Sequence, residues 1–391
     1  MINTLNKQKA LFYSFIFVLI GALLLWGLYQ ITLASPDKGP KARFVTELPE
    51  RAAQGIAMGC KKVKESGKAL TVLSCDPNIG TQLGLQEDIR VFAQDSTANA
   101  QIGANAVQTN GNTGSGRKVV VLDTGYNYGH PELSSSYLGG KDFVNNDDDP
   151  ADDNGHGSHV AGIITADGVN ATAKGVAPDA GVIAGKVLDA AGSGYFSDVE
   201  EAIYWAVDVA TKGADGLAGT SDDVVVDAIS LSLGTGKPYV YKGFCDSVLP
   251  SLTAAIKYAV DHGVLVVVAA GNSGRAGVSI PGCISYSTTV GAVNDFDKVA
   301  SFSGRGSAVD ISAPGVTIYS STLGSSYASW SGTSMATPVV SGTVALVKSA
   351  HPTLTVAQVQ NALLSTAKDL GKSGKDNDYG WGRVRANLAV Q

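Results

Sequence analysis

From Lys118 to Val293 the sequence keeps one alternation: a short, nearly continuous apolar run, then a longer stretch of helical period. The runs are Lys118–Leu122, Val182–Val187, Val224–Leu231, Val264–Ala269 and Thr288–Val293. Brief runs of Val, Ile, Leu and Ala with no polar alternation are what strands covered on both faces require. Between them, Ser197–Ala210 places Val199, Ala202, Ile203, Ala206 and Val207 on one helical face, and Leu252–His262 does the same with Ala255, Ile256, Ala259 and Val260. This alternation predicts an α/β domain, a three-layer parallel sheet with helices on both faces. In such sheets the chemistry gathers beyond the carboxyl ends of the strands.

The chain can bury a core of that size, because 44% of its 391 residues are hydrophobic and only 16% are charged. Its net charge is −6, with no basic stripe interleaved with aromatics, which excludes nucleic acid as a partner. The carboxylates are uneven, and Asp147, Asp148, Asp149, Asp152 and Asp153 form a dense run. Such a run is a solvated loop or a seat for a hard cation.

Lys7 and Lys9 precede an uncharged, apolar stretch from Ala10 to Ala34. It exceeds the roughly 7–15 residues of a signal-peptide core and approaches the roughly 20 of a membrane span. Residues 1–34 therefore read as a signal peptide, cleaved after small residues near Thr32-Leu33-Ala34, or as a retained anchor. In both cases the lysines stay cytoplasmic and the remainder is exported, secreted or periplasmic in the first case and membrane-anchored in the second. Membrane contact follows only if the helix is retained. Four cysteines suit an exported chain and allow three pairings; proximity favours pairing Cys60 with Cys75 and Cys245 with Cys283.

Three motifs sit where the alternation puts chemistry. Asp123 follows the first apolar run and precedes Thr124-Gly125. His156 stands in the glycine-rich turn Asn154-Gly-His-Gly-Ser-His-Val-Ala-Gly162, which runs into a helix. Ser334, in Ser331-Gly-Thr-Ser-Met-Ala-Thr-Pro338, heads another apolar helix, whose start must lie close by because Pro338 is tolerated only near a helix N-terminus. Singly, each is ordinary: a turn aspartate, a lone histidine, an N-cap serine. His159 lies one helical turn from His156, but with no glutamate between them and no third ligand evident the pair does not read as a zinc site, and no catalytic metal is called for.

Together, and in the order Asp, His, Ser, these motifs resemble the subtilisin-like serine proteases from about Gln101 to Val390. The resemblance implies a subtilisin-like fold and a serine endopeptidase acting on proteins or peptides. It makes Ser334 the nucleophile, His156 the general base and then acid, and Asp123 its orienting partner. Asn272, in Ala270-Gly-Asn-Ser-Gly274, matches the family's oxyanion donor. Gly192, Ser193 and Gly194, with Ser232, Leu233 and Gly234, match two backbone edges that hold an extended peptide, and a side-chain pocket is expected between the latter and Ala269–Gly271, with Ala270 and Gly271 among its residues. Such edges ask little of substrate sequence, so broad specificity is implied.

The resemblance also implies structural calcium. One candidate site is the loop Ile163–Gly175, with Asp167, Val169, Ala171 and Ala173, together with Glu132 where the family usually has Asp, and more weakly Gln94. Others are the acidic run Asp147–Asp153 and the insertion holding Asp215, Asp222 and Asp223. Residues 35–95, polar and weakly periodic, would be an inhibitory propeptide that the domain at 96–391 keeps as a partner until cleavage near Val91–Asp95. The mature protein is expected to be a monomer.

Overall fold

The computed structural model describes residues 42–46, 48–66, 70–87, 97–212 and 225–391. The chain divides into two compact units between Ala93 and Gln94. In the first, strands Ala42–Thr46, Lys61–Ser66, Leu70–Cys75 and Gln86–Glu87 pair antiparallel, with 70–75 and 42–46 in the middle. The helices Pro49–Ala57 and Pro77–Gln82 both start on a proline, whose missing N–H is no loss there. The core is small: Phe44, Leu73 and Leu85 with Cys60 and Cys75. The Cys60–Cys75 disulfide spans 15 residues, and cross-linking a loop of that length contributes about 3 kcal/mol in the chain-entropy picture.

The second unit is built on one sheet. Its strands are β1 (Lys118–Asp123), β2 (Tyr137–Asp142), β3 (Gly181–Lys186), β4 (Ala228–Leu231), β5 (Leu265–Ala269), β6 (Thr288–Val293) and β7 (Ile311–Pro314). They lie in the order β7-β6-β5-β4-β1-β3-β2, and every neighbouring pair is parallel. The five apolar runs of the sequence are the five inner strands. The two edges carry no such run. β2 contains Gly139-Gly140 and is mostly half-exposed, and β7 has four residues and ends on Pro314; an edge strand has one neighbour in the sheet and tolerates both features. Of the strand expected from Val224 to Leu231, Val224 lies outside the described residues and the strand begins at Ala228, because Val225 is exposed and the Asp227 carboxylate turns back to accept the Lys118 N–H at 3.0 Å.

Successive residues of a strand face opposite sides, and β1 uses both. Val119 and Val121 pack with helices α1 (His156–Thr165) and α4 (Thr333–Ala350), whereas Val120 and Leu122 pack with α2 (Phe196–Lys212) and α3 (Pro250–Asp261). The result is the three-layer α/β arrangement of a subtilisin-like fold. From β1 the neighbours β3 and β4 diverge to opposite sides, so a crevice opens at the carboxyl ends of these strands. The second disulfide, Cys245–Cys283, lies in this unit, so both bridges are the local ones.

Ile229 on β4 is fully buried. Replacing Ile229 with Ala should lower the unfolding free energy by about 2–5 kcal/mol and with Val by about 0.5–1.5 kcal/mol, read as shifts of the urea midpoint.

Candidate active site

β1 ends on Asp123, whose side chain is 1% exposed, and α1 begins on His156. Their junction is stitched by Thr124. Its hydroxyl donates to Asp152 Oδ1 at 2.8 Å and accepts the Gly157 N–H at 2.8 Å. The backbones approach so closely that a Cβ at position 157 would lie 2.1 Å from the Gly125 carbonyl oxygen, so only glycine fits. Held this way, His156 Nδ1 meets Asp123 Oδ1 at 2.6 Å, and Asp123 Oδ1 also accepts the Thr124 N–H at 2.8 Å. Burial works against a charged imidazole, but the Asp123 charge, its hydrogen bond and the Asp152 charge outweigh it and hold His156 above its ordinary pKa.

Asp152 supports the helix start. It accepts from the N–H groups of Asn154, Gly155 and Ser158 and from the Ser158 hydroxyl. Although burial opposes its charge, these bonds keep its carboxyl below the usual range. Lys186, at the end of β3 and 2% exposed, donates to the Thr124 and Leu188 carbonyls and to Asp153 Oδ1 at 2.8, 2.9 and 2.7 Å. Four of these groups, Thr124, Asp152, Asp153 and Lys186, tie the ends of β1 and β3 to the loop before His156. In sequence they read only as strand ends and members of an acidic run.

Ser334 is the second residue of α4, half-buried, and its N–H is among those a helix start leaves without an internal acceptor. Pro338 has no N–H for the Ser334 carbonyl four residues back; the Ser232 hydroxyl takes that carbonyl instead at 2.9 Å. In return the Ser334 hydroxyl donates to the Ser232 carbonyl at 3.0 Å. Its partner in this structure is therefore Ser232 and not His156. Asn272 follows β5, and its Oδ1 accepts the Thr333 N–H at 3.0 Å and the Thr333 hydroxyl at 3.1 Å. A backbone N–H can only donate, so this bond settles which amide atom is oxygen and leaves Nδ2 for the groove.

His156, Asn272 and Ser334 line one groove of about 670 Å³. Gly192–Gly194, after β3, and Ser232–Gly234, after β4, are among its other lining residues, along with Ala269, Gly271 and the buried Ser279. Of the residues expected there, Ala270 does not line the groove, being wholly buried in the α2/α3 layer, whereas Ala269 and Gly271 on either side of it do. Trp330 was not evident from the sequence. Its indole stacks on His159 at 4.4 Å and runs parallel to the His156 ring at 6.2 Å. His159 lies behind, its Nε2–H donating to the Ala328 carbonyl at 3.0 Å, and burial lowers its pKa to about 4.

Among the described residues no three His, Cys, Asp or Glu side chains come together to hold an ion. In the acidic run, Asp152 caps α1 and Asp153 pairs with Lys186, while Asp149 accepts the Tyr128 hydroxyl. Glu132 is buried with both oxygens taken by N–H and O–H donors, and Asp167 holds the Ser135 hydroxyl. Ala171–Ala173 form a 3₁₀ turn after Asn170, and Val169 is 70% exposed. Gln94, Asp215, Asp222 and Asp223 lie outside the described residues, as do residues 1–34 and Val91–Asp95.

The subtilase family model matches residues 114–382. The chain is 38% identical to the alkaline protease of Alkalihalobacillus alcalophilus over 84% of its own length and 78% of that protein's. To subtilisin Savinase of Lederbergia lenta it is 40% identical, covering 75% of this chain and 97% of the relative. With subtilisin E of Bacillus subtilis (strain 168) the identity is 38% over 83% and 78%.

The cap at α1 gives a stability prediction. Asp152→Asn, which replaces a charged acceptor facing several donors by a neutral amide, should cost about 1.5–3 kcal/mol at pH 7. A carboxyl held below its unfolded value stabilises the fold above that value, and the advantage is lost as pH falls through the lowered folded value. Thermal unfolding of the two proteins should therefore differ at pH 7 and converge at acid pH.

Proposed function

Because the chain belongs to the subtilase family and is a serine-type endopeptidase, we propose that Ser334 is its nucleophile, His156 its base and Asp123 the orienting carboxylate. The observation that carries this assignment is the 2.6 Å contact between Asp123 and His156 beside a groove that Ser334 also lines. A serine hydroxyl is a weak nucleophile at neutral pH, so a neutral imidazole must take its proton as it attacks the scissile carbonyl. Ser334 Oγ leaves the Ser232 carbonyl for this step. The new C–O bond places negative charge on the carbonyl oxygen, where the Ser334 N–H and Asn272 Nδ2 are the donors. The intermediate collapses as His156 returns the proton to the leaving amine, and water then releases the acyl group by the same route.

Peptide binding is assigned to Gly192–Gly194 and Ser232–Gly234, which would take an extended substrate as an added strand. Main-chain pairing recognises any sequence, which supports broad specificity. Residues 35–95 are assigned as the propeptide and 96–391 as the mature, monomeric peptidase; the division between Ala93 and Gln94 supports a boundary there. Residues 1–34 are assigned to export, as a signal peptide or an anchor with the peptidase outside the cytoplasm. Among the described residues no helix is long and apolar enough to cross a membrane. The calcium expected of the family is assigned to Asp215, Asp222 and Asp223.

A fluorophosphonate probe should label the processed protein and not Ser334→Ala; equal labelling of both would overturn the nucleophile assignment. Asp123→Asn should lower kcat about 10⁴-fold. Loss of the Asn272 amide, tested as Asn272→Ala, should cost roughly 10²–10³ in kcat, as loss of the corresponding donor does in a subtilisin. The active form needs neutral His156, whose pKa is raised. The acid limb of kcat/KM should thus fall above the ordinary value of about 6.5, and activity should fade as pH drops through it.

A further inference from the structure

The connection from α1 to β3 is where the resemblance implies a calcium-binding loop, and its chemistry points the other way. Gly168 has φ +83°, a left-handed conformation. Around it three successive N–H groups converge on one carboxylate. Gly168 and Val169 donate to Glu132 Oε2 at 2.7 and 3.0 Å, and Asn170 donates to Oε1 at 2.6 Å. Consecutive N–H groups arranged like this form a concavity for an anion. A cation cage needs oxygen lone pairs turned inward instead.

The fourth donor comes from another element. Tyr327, on the strand Tyr327–Trp330, gives its hydroxyl to Glu132 Oε1 at 2.9 Å. A carboxylate offers about four lone-pair sites, and Glu132, wholly buried, has four donors on them. No acceptor capacity is left for a metal ion. The backbone of Glu132 is anchored as well, its carbonyl accepting the Asp167 N–H at 3.1 Å and its N–H donating to His130 Nδ1 at 3.1 Å.

We propose that Glu132 is an internal anion that fixes the 166–175 loop in place of a metal ion, so that this loop is calcium-independent. The extra methylene of glutamate over aspartate carries the carboxylate into the ring of N–H groups. The loop's order is then written into the chain and does not vary with the calcium concentration outside the cell.

Amide hydrogen exchange resolved at Gly168, Val169 and Asn170 tests this, using the full chain in a Ser334→Ala background to suppress self-cleavage. With excess calcium chloride or excess chelator, exchange at these three amides should be the same. Glu132→Gln should speed it about tenfold or more, the scale of hydrogen bonds lost to a charged acceptor, and calcium should not restore it. Tyr327→Phe, which removes one donor and leaves the carboxylate, should give a smaller acceleration. A chelator effect on overall melting with the three amides unchanged would support the proposal, since it locates the ion elsewhere. Chelator-induced exchange at these amides in the parent, reversed by calcium, would overturn it.

Discussion

A buried aspartate and a half-buried histidine share a 2.6 Å contact only if a strand end and a helix start come closer than ordinary side chains permit. Gly157 removes the Cβ that would strike the Gly125 carbonyl, and Thr124 bridges the gap with one hydroxyl used as both donor and acceptor. Everything that shapes the groove hangs from this junction. β1 is the strand from which the sheet order diverges, and Lys186 ties its end to the backbone at Leu188, from which the Gly192–Gly194 edge follows.

The same economy governs the serine. A proline four residues after Ser334 in α4 would leave a carbonyl without a partner inside the protein, a cost of about 1–3 kcal/mol if unmet. The carbonyl belongs to Ser334 and its partner is Ser232, so the defect in the helix becomes the link between α4 and the strand end that borders the groove. Thr333 likewise occupies Asn272 Oδ1 and so orients the amide. In both cases a satisfied buried polar group also aims a reactive one.

The acidic residues are put to structural use. Asp152 and Asp153 resemble cation ligands when read along the chain, yet one caps a helix and the other balances a buried ammonium. Glu132 meets four donors. Sequence proximity groups carboxylates by position in the chain, whereas coordination depends on what faces them, and N–H donors facing a carboxylate make it an anchor.

The sequence alone determined the layers and the inner sheet, because strands buried on both faces must be apolar throughout and helices between them must carry one apolar face. Asp123, His156, Ser334 and Asn272 were legible as motifs at strand and helix ends, and the local cysteine pairs from their spacing. Only the tertiary structure decided the rest. The edge strands β2 and β7 lack a neighbour on one side and so carry no run to read. Which residues of Ala269–Gly271 reach the groove follows from the strand's alternation at its exit. Trp330 and Tyr327 reach His159 and Glu132 from the strand Tyr327–Trp330, more than 160 residues away in the chain. Whether a loop cradles an anion or a cation depends on the sense in which its peptide units turn, and that is set by φ and by the group packed opposite, which no run of residue types records.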